Sequence, residues 1–229
     1  MKYVRQAFIL GSLIFLSSCA LGLANFRKER PIADLSKTRS ICLISSVKDE
    51  VNIVSSGILG GSSTKVPEDW GLRKLSLDLM AGALNKRYQA TSLDVMIQPF
   101  EAGTSSFDEI RSDVRKVTVS GKCDLILVLA AFTHNGIEGP SDFAYSAQDK
   151  AYEIEFSYIM LALDGSSYDV VGIQYAGPHY YTAIESSLVL FSPPVLEKYA
   201  EKREQVRAAI LYIEKESIPS SVAKLGLMQ

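Results

Sequence analysis

Cysteine, histidine and tryptophan are scarce in this chain: three, two and one among 229 residues. So few thiols and imidazoles leave little from which to build a zinc or iron centre, and no metal or cofactor is assigned. A basic excess is missing too. Lys and Arg number 24 against 26 Asp and Glu, so nothing overall points to nucleic acid. The patterns G-x-S-x-G and H-E-x-x-H are also absent, and with them the usual marks of a nucleophile elbow or a zinc-protease helix. What is present is a globular composition. Apolar residues make up 47% and charged residues 22%, enough for a buried core and too little net charge for disorder.

The chain opens MKYVRQAFILGSLIFLSSC. Lys2 and Arg5 give a positive start, residues 7–16 form an apolar core interrupted by Gly11 and Ser12, and the small Ser17 and Ser18 precede Cys19. That is the layout of a secretory signal peptide. Its apolar core falls short of the roughly 20 residues that cross a bilayer. The tetrad Leu16-Ser17-Ser18-Cys19 resembles the lipobox of bacterial lipoproteins. The resemblance implies cleavage between Ser18 and Cys19, a diacylglyceryl group on the Cys19 sulfur, and a further acyl chain of palmitate type on its amino group. Small side chains let a peptidase reach the bond, and the thiol is the one strong nucleophile of the segment. Several acyl chains anchor firmly where one does not, because each buried CH2 contributes about 0.8 kcal/mol. The resemblance to enterobacterial lipoproteins, in which a residue other than Asp after the cysteine favours the outer membrane, implies the outer membrane over the inner one, since Ala20 stands there. The expected location is the cell envelope, lipid-anchored and facing the periplasm. Losing Lys2 and Arg5 moves the net charge from −2 to −4, so the acyl chains, not a basic surface, are expected to hold the body at the membrane.

Residues 1–18 are read as signal peptide, 19–38 as a lipidated tether, and 39–229 as a single α/β domain with C-terminal helices from about 193. The tether contains Pro31 and the cluster Arg27-Lys28-Glu29-Arg30, expected to be solvated. Residues 40–47 (SICLISSV) form a strand candidate. A Gly- and Ser-rich connection over 48–68 reads as a loose hairpin or a functional loop. Leucines 72, 75, 79 and 84 recur at helical spacing within a predicted helix over 70–88, with Asp69 as its cap. A strand follows over 91–98, closed by Pro99, and then a helix over 106–117, with a capping box from Ser106 and Glu109. Residues 124–132 (DLILVLAAF) are almost uninterrupted apolar sequence, as a strand covered on both faces requires. Residues 152–163 and 168–175 read as a hairpin around Asp164-Gly165. Residues 176–192 read as irregular or as an edge strand. Pro193-Pro194 opens the longest helix, which Pro219 is expected to end before a short final helix over 220–225. The fold class is thus α/β, in two or three layers: β-α-β-α-β, then a β-hairpin in a mixed sheet, then C-terminal helices.

The hairpin over 152–175 with Asp164-Gly165 at its tip, and the strand beginning at Cys123-Asp124, resemble the small α/β domains of periplasmic assembly proteins. These include the N-terminal domain of the Tol-system propeller protein, the lipoprotein activators of peptidoglycan synthases and the curli secretion lipoprotein. The resemblance is one of topology. It implies a protein-binding module and carries over no functional residue.

Several residues were weighed for chemistry, and no catalytic or cofactor-binding residue is assigned. His134 follows the buried strand, at the sheet edge where α/β proteins place their sites, with Asp142 eight residues on. A solvated loop is the blander reading. His179 stands in Gly177-Pro178-His179-Tyr180-Tyr181 and reads as part of a packed turn. Gly57 to Lys65 superficially suggests a phosphate loop, but Val66-Pro67 intervenes where the Walker pattern needs its helix. Cys42 and Cys123 open neighbouring strands. Parallel neighbours rarely bring Cβ atoms to about 3.8 Å, so two buried free thiols are expected rather than a disulfide. Phe143, Tyr145, Tyr180 and Tyr181 lie outside the periodic segments, in loops; simple packing is the blander reading, and exposed together they would suit a protein interface.

The sequence therefore leads to a membrane-anchored envelope lipoprotein whose body binds another envelope protein, more plausibly an accessory of assembly, transport or secretion than an enzyme. The alternative is a hydrolase or small-ligand-binding protein with its site near His134 at the sheet's C-terminal edge. The partners expected are the membrane, through acyl chains on Cys19, and an envelope protein, with no nucleic acid.

Overall fold

Nine strands and three helices make up the described part of the computed structural model, which covers residues 28–57, 60–95, 97, 100–101, 107–118, 120–133, 141–146, 151–185 and 195–228. The order is β1 (Ser40–Ser45), β2 (Glu50–Gly57), β3 (Gly60–Pro67), α1 (Leu72–Ala83), β4 (Gln89–Ser92), β5 (Phe100–Glu101), α2 (Phe107–Val117), β6 (Leu125–Thr133), β7 (Ser141–Ser146), β8 (Ala151–Asp164), β9 (Val170–Glu185) and α3 (Val195–Lys224). The class is α/β with a mixed sheet. β1 runs parallel to both β4 and β6, giving the three-stranded parallel core, and the β8–β9 hairpin joins antiparallel at β6.

β8 organises the sheet. One of its edges pairs with β9 along nearly its whole length. The other is shared: β6 takes the half from Tyr158 to Asp164, and β7 takes the half from Ala151 to Phe156. Two wings hang from these halves. β6 leads to β1 and β4, and β7 leads to β2 and β3.

The unbroken apolar runs now have a cause. In the first wing, Ile41, Leu43, Leu127, Leu129 and Met160 face α1 and α3. Their neighbours Cys42, Ile44, Ile126, Val128 and Leu161 face Ile110 and Val114 of α2. Both sheet faces are covered, so alternation vanishes. In the second wing, Ile53, Phe143 and Ile154 form one cross-strand row in the core that includes Tyr199 and Val206 of α3. Phe143 is fully buried and meets the Tyr199 ring at 5.7 Å between centroids. It is therefore a core residue in a strand, not part of an exposed interface. Tyr145, Tyr180 and Tyr181 also lie in strands, β7 and β9, and not in loops.

Several boundaries differ from those read in sequence. The connection over 48–68 is an antiparallel hairpin, β2–β3, and Gly60 to Lys65 is extended strand with no cradle for a phosphate. β4 is shorter than expected and begins at Gln89. Residues 176–185, His179 included, continue β9 as a strand opposite β8, so no turn forms there. Asp69 does not cap α1. Its cap residue is Gly71, at φ +70°, and Asp49 accepts the Leu72 N–H at 2.7 Å from across the fold. The final helix is single. Pro219 sits inside it because buried Ile218, Val222 and Leu225 hold the turns on either side against the core. The Ser106 half of the expected capping box lies outside the described residues.

Gly165 fits the tip of the β8–β9 hairpin because a Cβ there would come 1.7 Å from the Cys123 carbonyl oxygen. Arg111 secures this tip to α2, donating to the Tyr168 carbonyl at 2.9 Å and pairing with Asp169 at 2.8 Å. The segment expected as a solvated tether makes ordered contacts from Glu29 onward. Arg30 and Ile173 exchange two backbone hydrogen bonds of 3.0 Å, Glu29 accepts from the Tyr175 N–H at 2.9 Å, and the Ile32 N–H reaches the Leu225 carbonyl at 3.2 Å.

Cys42 and Cys123 form a disulfide, against the expectation of free thiols. Cys123 lies just ahead of β6, where the backbone is not yet held in the ladder, and the two Cα atoms stand 5.8 Å apart. That is within the ordinary range for a bridge. The bond closes a span of 81 residues, which in the chain-entropy account stabilises by about 4 kcal/mol. Reduction, or the pair Cys42→Ala and Cys123→Ala, should lower the denaturant midpoint accordingly. An unchanged midpoint with and without reductant would show that the bond does not constrain the unfolded chain.

Candidate functional site

Where β1 and β6 end and the two wings part, the core turns polar. Ser45 and Ser46 at the end of β1 are fully buried, and Ser45 Oγ meets Ser76 Oγ of α1 at 2.8 Å. Tyr158 of β8, at the point where β6 gives way to β7, meets Ser221 Oγ of α3 at 3.2 Å. Beside these stands Glu214, with no exposed surface and with neither carboxylate oxygen hydrogen-bonded among the described residues. Helical spacing explains its position. Ile210, Ser217, Ile218 and Ser221 lie four, three, four and seven residues away along α3, and all are inward.

A buried carboxylate without a donor is costly when charged. Burial pushes the Glu214 carboxyl up to about 8, helped by the negative charge of Asp49 in the β1–β2 turn. Burial also raises the Tyr158 hydroxyl, with hydrogen bonds from Ser221 and Ser217 opposing and Glu214 adding to the rise. Glu214 thus holds a proton at neutral pH and is a potential proton donor to a neighbouring oxygen.

A second polar group clamps the start of α3. Glu68, at the end of β3, accepts from Arg203 Nε at 2.9 Å and from the Tyr199 hydroxyl. The Arg203 guanidinium stands 5.5 Å from the Trp70 ring centroid. Burial and the Glu68 carboxylate together push the Tyr199 hydroxyl up. The arrangement joins α3 to the β2–β3 hairpin as an ion pair with an aromatic wall.

Of the residues singled out in sequence, Cys42 and Cys123 are the pair brought together among the described residues. Cys19 and the segment before it lie outside the described residues, as does His134, which follows directly on β6. His179 and Asp142 are placed by backbone alone, opposite Phe156 and between Asn52 and Glu155. Among the described residues no group of three or more His, Cys, Asp or Glu could hold a metal ion. No helix among them is long and apolar enough to cross a membrane. Sequence reasoning missed Glu214, although its signal was available: a carboxylate on the same helical stripe as Ile210 and Ile218.

No family model matches this chain, and no curated protein matches it. Among solved structures it is similar to a Xanthomonas campestris protein of the family DUF330, with 9% identity and a TM-score of 0.34 over 87% of this chain and 92% of the other. It is also similar to a protein described as a homolog of neuraminyllactose-binding hemagglutinin from Helicobacter pylori, with 11% identity and a TM-score of 0.30 over 84% and 92%. Values this low transfer neither a function nor a site.

Glu214 fixes a pH dependence. Burial holds its carboxyl up at about 8 in the folded chain, well above the ordinary carboxylate range of the unfolded one, so the folded state keeps the proton across that interval. Stability should therefore fall as pH rises from about 4.5 to 8 and level off above. Glu214→Gln should remove this slope and stabilise the protein at pH 8 by on the order of 3 kcal/mol. Denaturant melts at several pH values test it, and parallel curves for the two proteins would contradict it.

Proposed function

We propose that this chain is an exported lipoprotein of the bacterial cell envelope, acylated on Cys19, whose α/β body serves as a non-enzymatic protein-binding accessory in assembly, transport or secretion. The observation that carries the reading is the sequence Leu16-Ser17-Ser18-Cys19 closing an apolar leader. The Cys42–Cys123 disulfide supports it, because such bonds persist in oxidising compartments and are rare in the cytosol. The docked segment from Glu29 supports it too. A body whose N-terminal arm is fixed on β9 can be held at a membrane by a short leash. Protein binding fits a fold whose long hairpin and terminal strand β3 offer edges and faces to a partner. The outer membrane remains the favoured site.

Intact-mass measurement of the native protein tests the anchor. A chain starting at Cys19 and carrying diacylglyceryl and acyl mass is expected, whereas an unmodified thiol with the leader attached overturns the reading. Crosslinking in intact cells followed by affinity capture tests the binding role. A defined envelope protein should be captured by the wild type and lost with Cys19→Ala. Equal recovery from both would remove membrane placement from the mechanism.

A further inference from the structure

The leash has a measurable reach, and it favours one end of the molecule. That end gathers the starts of β1, β4 and β6, the tip of the β8–β9 hairpin, and the C-termini of α1 and α3. Hydrogen bonds hold it together: Gln89 N to Arg39 O at 2.7 Å, Asp124 N to Ser40 O at 3.1 Å, Gly165 N to Asp124 O at 3.0 Å and Asn85 N to Leu227 O at 3.1 Å.

The exposed side chains at this pole are mostly basic. Lys37, Arg39, Lys86, Arg87, Lys122 and Lys224 are all exposed. The four lysines make no ion pair among the described residues. Asp169 at the hairpin tip is paired with Arg111, and the remaining acids of the same pole are tied into its turns. Asp34 accepts the Ser36 N–H, Asp124 accepts the N–H groups of Arg39 and Ser40, and Asp164 accepts those of Ser166 and Ser167. These bonds keep all three carboxyls below the usual range, Asp164 at about 2, so the six cations outweigh three fixed negative charges. At the opposite end, the strand residues 151–158 and 176–185 contain Glu153, Glu155 and Glu185 and neither lysine nor arginine, and Lys198, Lys202 and Arg203 at the start of α3 are each paired with a carboxylate. A chain that is mildly acidic overall is thus polarised along β8.

We propose that the pole carrying Lys86, Lys122 and Lys224 is a docking surface for anionic phospholipid headgroups. The leash geometry in this argument rests on lipidation at Cys19, while the charge asymmetry stands without it. The register of the Arg30–Ile173 bridge places Lys28 beside Tyr175, which lies opposite Ile159 of β8. Nine residue steps lead from Cys19 to Lys28 and span at most about 30 Å. From the level of Ile159 to Asp164 at the basic pole is five residues, roughly 17 Å at ~3.4 Å per strand residue. From Ile159 to Ala151 at the acidic end is eight residues, roughly 27 Å, which uses nearly the whole leash. An acylated chain can therefore lay its basic pole on the lipid with slack to spare, whereas the reverse orientation takes up nearly the whole leash and is opposed by the sign of the charge. Lysines near an anionic surface add attraction that falls off within a Debye length.

The test uses the chain from residue 19 with Cys19→Ala, so that no acyl chain contributes. It is mixed with phosphatidylcholine vesicles, with or without phosphatidylglycerol, at low and high salt. The expected result is at least about tenfold stronger co-sedimentation with the anionic vesicles, lost at high salt. The triple variant Lys86→Glu, Lys122→Glu and Lys224→Glu should abolish it. Lys198→Glu with Lys202→Glu, at the far end of α3, should leave it intact. Lys86, Lys122 and Lys224 are exposed, whereas Lys198 and Lys202 are partly buried and paired with Glu201; unfolding temperatures are therefore compared with the parent, and any variant that melts early is replaced by its lysine-to-glutamine counterpart. Equal binding to both vesicle types, or undiminished binding by the triple variant, overturns the proposal. Neither outcome touches the lipid on Cys19, which mass measurement reads separately.

Discussion

The pairing of β8 on both edges is the constraint from which the rest of the architecture follows. A strand of this length sandwiched between β9 and two successive partners has nearly all its backbone groups engaged, so it cannot slip without unpairing three strands at once. The place where β6 yields to β7 falls between Tyr158 and Phe156 of β8, and there the sheet divides into two wings. The polar pocket of serines around Tyr158 and Glu214 sits at that division because β1 has just ended and its neighbours are no longer purely aliphatic. The long helix then closes over both wings, tied at its start to Glu68 and at its end to Ile32.

Elements with strong periodicity were readable from sequence. The strand at Leu125–Thr133, the helix at Phe107–Val117, the hairpin turn at Asp164-Gly165 and the parallel order around β1 all emerged from apolar runs and turn residues. What escaped was set by tertiary contact. The cap of α1 comes from Asp49, twenty-three residues away from Leu72, and no local pattern announces it. Pro219 was expected to break a helix, but buried residues on both sides outweigh one missing hydrogen bond. β7 has only six residues, and its pairing partners lie in β2 and β8. The Gly- and Ser-rich strand β3 has little intrinsic preference for extended structure and is extended because β2 pairs with it.

The candidate chemistry was less readable than the fold. Histidine is the side chain whose ordinary pKa lies nearest neutrality, yet the buried carboxyl in the described core is a glutamate within a helix rich in surface charge. Four other carboxylates and several lysines and arginines in that helix make Glu214 look solvated unless its position on the stripe is followed turn by turn. The disulfide was misjudged by placing Cys123 inside a regular parallel ladder. The residue precedes that ladder, and its freedom there lets the sulfurs meet.

The cysteine arithmetic has a consequence for how the chain matures. Under the proposed lipidation the sulfur of Cys19 becomes a thioether, which thiol–disulfide exchange cannot attack. Two thiols then remain in the exported chain, and two thiols admit a single intramolecular pairing. Acylation would thus act as a chemical proofreader: oxidation has one product within the molecule, and no isomerase is required to sort alternatives.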